Sequence, residues 1–160
     1  MAVEVGSVFP SVTVKHLTAD GMQELSTGDV FKGKKVALFA LPGAYTPTCS
    51  AKHLPGFIEK AAELKAKGVA EIVCLSVNDP FVMKSWGAEQ KAGDAVFMLP
   101  DGNGAITRAL GLEFDATAFN LGIRSQRYAM IVEDGTITWL AVDKPGSFEV
   151  SSAEAVLAAL

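Results

Sequence analysis

The ten residues Leu41-Pro42-Gly43-Ala44-Tyr45-Thr46-Pro47-Thr48-Cys49-Ser50 constrain the chain more than any other stretch. The apolar run from Val36 to Leu41 that leads into them reads as a buried strand. Pro42 and Gly43 end it. Thr46 then offers a helix N-cap, and Pro47 fits the first helical position, where its missing N–H costs nothing. That count places Cys49 third in the helix. A thiol there sits among unpaired backbone N–H groups, at the positive end of the helix dipole. Such a setting favours thiolate over thiol, and thiolate is the nucleophilic form. The spacing alone therefore describes a cysteine activated without an adjacent base.

The same alternation of strand and helix organises the rest. Val36 to Leu41, a helix from Pro47 to near Lys67, and a strand from Glu71 to Val77 make a β-α-β unit whose strands run parallel. Leu54, Phe57, Ile58, Ala61 and Leu64 recur at helical spacing as the buried face. Glu63 and Lys67 form an i,i+4 pair outside it, and Gly68 suits the C′ position. Pro55 falls inside this helix and predicts a kink near residues 51–55, which would loosen the turn carrying Cys49.

Asn78-Asp79-Pro80 opens a second helix reaching towards Ala92. Ala95 to Leu99 reads as a strand and Ala105 to Leu110 as a short helix ended by Gly111. Residues 112–125 read as a long connecting loop. Tyr128 to Val132 and Thr136 to Val142 form a hairpin about Glu133-Asp134-Gly135. Ser151-x-x-Glu154 has the form of a capping box before a last helix, Ala155 to Leu160. Ahead of all this, Ser11 to Leu17 and Met22 to Leu25 flank the turn Asp20-Gly21 as an N-terminal hairpin, followed by a short helix from Ser26 to Phe31. The sum is an α/β chain with a mixed central sheet flanked by helices, in one domain spanning 1–160.

Composition removes several function classes. The net charge of −4, with no basic block, argues against a nucleic-acid partner. No apolar run approaches the ~18 residues of a membrane span. The opening Met1-Ala2-Val3-Glu4 lacks the basic region and apolar core of a secretory signal. Two cysteines do not make a disulfide scaffold, which fits a reducing compartment and a cytoplasmic location. Gly102-x-Gly104 lacks the third glycine of a dinucleotide loop, Asp101 and Asn103 lack the later glutamate of a calcium loop, and His16 has no ligand partner nearby.

Pro42-x-x-x-Thr46-x-x-Cys49 resembles the signature of peroxiredoxins, thiol peroxidases that work through one reactive cysteine. The longer string through Ser50, with His53-Leu54-Pro55-Gly56-Phe57, is similar to the type II, peroxiredoxin-5-like branch. Cys74-Leu75-Ser76-Val77-Asn78-Asp79-Pro80-Phe81-Val82, Arg124-Ser125-Gln126-Arg127-Tyr128 and Phe148-Glu149-Val150-Ser151-Ser152-Ala153 extend the likeness over nearly the whole chain. The resemblance implies a thioredoxin-like fold and names roles. Cys49 would attack hydrogen peroxide or an organic hydroperoxide and become sulfenic acid. Thr46 would hydrogen-bond the reacting sulfur or peroxide oxygen besides capping, and Pro42 would shield the thiolate. Arg127, immediately before an apolar strand, would stabilise the charge, with Arg124 a competitor three residues earlier. An external thiol, glutathione with glutaredoxin or else thioredoxin, would regenerate the cysteine without any metal, haem or other cofactor. The apolar 42–45 loop, Phe81, Phe119 and Leu121 fall near the same rim and either pack on their own domain or mark an interface; the resemblance implies the second, a homodimer formed beside the active site.

Two further residues leave alternatives open. His53 follows Cys49 by four residues, and on a straight helix the two would share a face. A Cys–His pair would suit a cysteine-dependent acyl hydrolase; no Asn or Asp to orient the histidine is identifiable, so His53 is assigned a supporting role at most. Cys74 lies 25 residues (74 − 49) after Cys49, mid-strand and about 10 Å below the rim at ~3.3 Å per residue. A disulfide needs Cα atoms within about 7 Å, so Cys74 reads as core and Cys49 as the accessible thiol. A third reading is a peroxide-responsive redox sensor or chaperone-like binder, in which oxidised Cys49 passes a signal to a partner.

Overall fold

A strand that is apolar on both faces belongs in the middle of a sheet, with helices above and below it. The computed structural model describes residues 2–160. Its strands are β1 (Thr13–Thr18), β2 (Gly21–Ser26), β3 (Lys35–Leu41), β4 (Glu71–Ser76), β5 (Phe97–Pro100), β6 (Glu113–Asp115), β7 (Ile123–Ser125), β8 (Tyr128–Glu133) and β9 (Thr136–Val142). The α-helices are α1 (Thr27–Phe31), α2 (Leu54–Glu59), α3 (Ala61–Ala66), α4 (Pro80–Glu89), α5 (Ala105–Leu110) and α6 (Ala153–Ala159), with a π-helical turn at Cys49–His53 and a 3₁₀ turn at Thr117–Phe119.

The apolar strand β3 is the central member of a five-stranded sheet ordered β5-β4-β3-β8-β9. It runs parallel to β4 and antiparallel to β8, with Phe39 opposite Cys74 on one side and Ala129 on the other. Successive side chains of β3 point to opposite faces. Ala37, Phe39 and Leu41 pack with Leu54, Phe57, Leu64, Trp86 and Val156, from the layer of α2, α3, α4 and α6. Val36, Leu38 and Ala40 pack with Phe31, Ile106 and Leu110, from α1 and α5. β3 is thus a hub, and its C-terminal end delivers the 42–46 loop to the edge of both layers.

The helix expected from Pro47 to near Lys67 is instead three pieces. Pro55 has no N–H to give to the carbonyl four residues back, so regular α bonding fails there. The Leu54 N–H reaches the Cys49 carbonyl in an i→i+5 bond, and the expected kink takes the form of a π turn. A second break at Lys60 (φ −93°, ψ 6°) separates α2 from α3. Beside it, Glu63 pairs with Lys60 at 3.4 Å, while Lys67 reaches the Leu157 carbonyl rather than Glu63. α4 opens where expected, and Asp79 caps it, accepting from the Val82 N–H at 2.9 Å. It stops at Glu89, just ahead of Lys91 with φ at 58°.

Two further expectations change. Residues 112–125 are not a plain loop but an antiparallel ribbon, β6–β7, in which Phe114 faces Arg124. Asn120 (φ 62°) and Gly122 (φ 72°) take the left-handed conformations that reverse the chain. Three-residue strands are too short for alternation to reveal. The capping box is also displaced: Ser152, not Ser151, is the N-cap of α6 and accepts from the Ala155 N–H at 3.1 Å. Ser151 is fully buried and otherwise engaged.

Truncating the hub and removing a cap should separate in magnitude. Leu38→Ala is expected to cost about 3 kcal/mol through lost transfer energy and a cavity, and Asp79→Ala about 1 kcal/mol. Urea unfolding reads both as midpoint shifts at unchanged slope.

Candidate active site

The loop between β3 and the π turn is held by polar groups from three elements. The Ser76 hydroxyl, at the end of β4, reaches the Leu41 carbonyl (3.3 Å) and Asn78 Oδ1 (2.7 Å). Asn78 Oδ1 also accepts from the Ala44 N–H at 2.9 Å. Arg124, on β7, donates from Nη1 to the Pro42 carbonyl (3.2 Å) and from Nε to the Leu121 carbonyl (3.0 Å). Gly43 makes room for that guanidinium: a Cβ there would lie 2.6 Å from Arg124 Nη1. Tyr45 holds a left-handed φ of 65°, and its hydroxyl pairs with Ser85 Oγ of α4 at 2.7 Å. Trp86 Nε1, beside it on α4, donates to Ser50 Oγ at 3.0 Å and braces the turn after Cys49.

Thr46 occupies the cap position by backbone, its carbonyl accepting from the Ser50 N–H at 2.9 Å. Its hydroxyl, however, donates to the Gly43 carbonyl at 2.6 Å instead of capping the helix. The loop closes on itself, and the Thr46 oxygen keeps lone pairs with which to accept another hydrogen bond.

Cys49 and Arg127 meet directly: Arg127 Nη2 donates to Cys49 Sγ at 3.1 Å. Arg124, the competing cation, instead holds the Pro42 carbonyl. The other arm of Arg127 is fixed too, Nη1 lying 2.8 Å from His53 Nδ1, while His53 Nε2 lies 2.9 Å from the Ser151 carbonyl. A guanidinium only donates and a carbonyl only accepts. His53 therefore carries its proton on Nε2 and presents a bare Nδ1 to Arg127. Burial, then the neighbouring Arg127 charge, holds the His53 pKa down at about 3. The imidazole makes no bond to Cys49 among the described residues, so the Cys–His pair of an acyl hydrolase is not formed.

Sequence reasoning gave Asp143 and Phe148 no role behind His53 and read Ser151 only as a helix cap. The Phe148 ring packs 4.8 Å from the His53 ring and 5.7 Å from the Arg127 guanidinium. Asp143 Oδ2 accepts from Ser151 Oγ at 2.5 Å, and Oδ1 accepts from the N–H groups of Glu149 and Val150. Burial pushes the Asp143 carboxyl up, but the bonds from Ser151, Val150 and Glu149 outweigh it and hold it below the ordinary carboxylate value. No periodicity marks such residues; Phe148 stood out by resemblance alone, and Ser151 also by the capping motif.

Both cysteines are buried, which corrects the expectation of an accessible Cys49. Ala44 packs against the buried cluster that holds Cys49, Arg127 bonds its sulfur, and Phe148 packs on the Arg127 guanidinium. A pocket of about 320 Å³ opens beside Cys49, its lining including Pro42, Thr46, Thr48, Phe119, Leu121 and Arg127, the last bonded to the Cys49 Sγ. Cys74 lies within β4 as expected. Burial, then the nearby Cys49, pushes its thiol well above the ordinary value, so it stays protonated.

The model of the Redoxin family matches residues 4–157. Peroxiredoxin-2B of Arabidopsis thaliana is 50% identical over 159 residues, which is 99% of this chain and 98% of that protein. The chain belongs to the peroxiredoxins. Among solved structures, reduced Prx3 from Vibrio vulnificus in complex with H2O2 superposes on this peroxiredoxin with a TM-score of 0.94 at 53% identity, covering 98% of each chain. Peroxiredoxin 5 from Alvinella pompejana superposes at 0.86 with 33% identity, over 98% and 96% of the two chains. The fold is the thioredoxin-like peroxiredoxin fold, and the protein is an oxidoreductase that reduces peroxide at the expense of a thiol.

The buried neutral histidine has a measurable consequence. Unfolded, His53 binds a proton below pH 6.5; folded, it refuses one down to about 3. Stability is therefore full above pH 6.5 and falls as the pH drops, by about 2 kcal/mol at pH 5. The Asp143 contribution is lost only below about pH 4, in a separate window. Urea unfolding at pH 7 and pH 5 should show that difference, and His53→Gln, which does not titrate, should reduce it. Equal stability at the two pH values would contradict the assignment.

Proposed function

We propose that Cys49 is the peroxidatic nucleophile of this peroxiredoxin, with Thr46, Arg127 and Pro42 completing the site. The observation that carries this reading is the hydrogen bond from Arg127 Nη2 to Cys49 Sγ. The thiolate sulfur attacks one peroxide oxygen, the O–O bond breaks, and the leaving oxygen takes a proton to depart as water or an alcohol. Sulfur, oxidised by two electrons, becomes sulfenic acid. Arg127 stabilises the thiolate and the charge that spreads over both oxygens, as a fixed cation in a water-poor site does best. Thr46, its own hydrogen given to Gly43, accepts from the incoming peroxide. Pro42 forms part of the pocket wall and keeps bulk water back.

Regeneration falls to an external thiol, because Cys74 is buried in the sheet as a protonated thiol. One thiol condenses with the sulfenic acid, releasing water and forming a mixed disulfide, and a second thiol releases Cys49. Glutathione with glutaredoxin, or thioredoxin, supplies such thiols, and a reducing cytoplasm suits two unpaired cysteines. Tyr45, Phe81 and Phe119, exposed by 49%, 63% and 71%, support a homodimer formed beside the pocket.

Reductase-coupled NADPH consumption, run with glutaredoxin and glutathione and then with thioredoxin, tests this reading. Peroxide-dependent turnover is expected with at least one couple, lost in Cys49→Ser and largely kept in Cys74→Ser. A Cys49–Cys74 disulfide as the main product of one equivalent of peroxide, read by mass spectrometry, would overturn the external-thiol step.

A further inference from the structure

The contacts behind Arg127 form a closed circuit. Arg127 Nη1 meets His53 Nδ1, His53 Nε2 meets the Ser151 carbonyl, and Ser151 Oγ donates to Asp143. The Asp143 N–H then donates to the Arg127 carbonyl at 2.9 Å, closing the ring. Every member except Arg127 is buried, and Arg127 is only partly exposed.

We propose that Asp143 and Ser151 are positioning residues for Arg127, acting through the tautomer of His53. An arginine head on a flexible stem can rotate among many donors; one acceptor of fixed direction selects a single orientation. His53 Nδ1 is that acceptor only while the ring proton sits on Nε2, and the ring proton sits there only while the Ser151 carbonyl faces it. That carbonyl belongs to a segment without secondary structure. What holds the segment is Asp143, whose two oxygens gather the Glu149 and Val150 amides and the Ser151 hydroxyl. Release of this carboxylate frees the carbonyl, and the His53 proton is then free to move to Nδ1. An N–H would then face the guanidinium N–H, and Arg127 would turn away from Cys49 Sγ. This also explains why Ser152 rather than Ser151 caps α6: the Ser151 hydroxyl is engaged by Asp143.

The inference rests on Cys49 as the peroxidatic nucleophile, and its test separates the two. Histidine-labelled ¹⁵N NMR of the reduced, full chain should show His53 as the Nε2–H tautomer in the parent protein. A predominant Nδ1–H or cationic form would overturn the proposal, whether or not any variant folds. Asp143→Ala and Ser151→Ala should each slow both iodoacetamide alkylation of Cys49 at neutral pH and its oxidation by hydrogen peroxide, on the order of tenfold. In a His53→Phe background the same two substitutions should add less than twofold, since their route runs through His53. Folded variants that match the parent, or effects that multiply in full without His53, would overturn it. Alkylation and the tautomer need no peroxide, so a parent inactive towards peroxide would remove the catalytic reading and leave these readouts standing.

Discussion

Everything about this site follows from bringing a guanidinium against a buried sulfur. Cys49 is fully buried, yet the proposed chemistry needs it as an anion. An isolated ion out of water costs several kcal/mol even after relaxation, unless a partner of opposite charge and good geometry offsets it. Arg127 at 3.1 Å is that partner. Arginine suits the task because it stays charged and can bond two acceptors at once: one arm to sulfur, the other to His53.

The architecture serves that contact. β3, apolar on both faces, ends at the 42–46 loop, and β8 beside it begins one residue after Arg127. Antiparallel pairing of β3 with β8 therefore brings the loop before Cys49 and the arginine to the same end of the sheet, Cys49 and Arg127 being 78 residues apart in the chain. Side chains from the ends of neighbouring elements, namely Ser76, Asn78, Arg124, Tyr45 with Ser85, and Trp86 with Ser50, then fix the loop and the turn. The π turn is the local irregularity. Pro55 prevents regular α bonding around Cys49, and such turns are frequent at functional sites. A turn bonded this irregularly, latched by Trp86 to Ser50, is a suitable place for a sulfur to be exposed to an external thiol after oxidation.

Much of the frame was legible because it obeys a simple period. The all-apolar β3, the buried face of α2 and α3, the start of α4 at Pro80 and the closing hairpin all came from local patterns. The proline, threonine and cysteine spacing marked the loop before Cys49 for the same reason: helix starts have local rules. What escaped was non-local. The β6–β7 ribbon depends on two left-handed residues and three-residue strands, which carry no usable alternation. Ser151 looked like a cap because Glu154 follows it by three residues, but the Asp143 carboxylate took its hydroxyl. His53 looked like a partner of Cys49 on one helical face; the π turn and the arrival of Arg127 made it the partner of the arginine instead. The burial of Cys49 was missed likewise, because Arg127, which lies against its sulfur, comes from a segment distant in the chain.

The central claim is that Arg127, through its bond to Cys49 Sγ, makes the buried sulfur reactive towards peroxide. Stopped-flow measurement of Cys49 oxidation by hydrogen peroxide in Arg127→Ala, with Arg124→Ala as comparison, tests it most directly. The account predicts a fall on the order of a hundredfold for Arg127→Ala, as for the loss of a donor aimed at developing charge, and a smaller one for Arg124→Ala. A rate for Arg127→Ala within twofold of the parent, or a larger loss in Arg124→Ala, would contradict it.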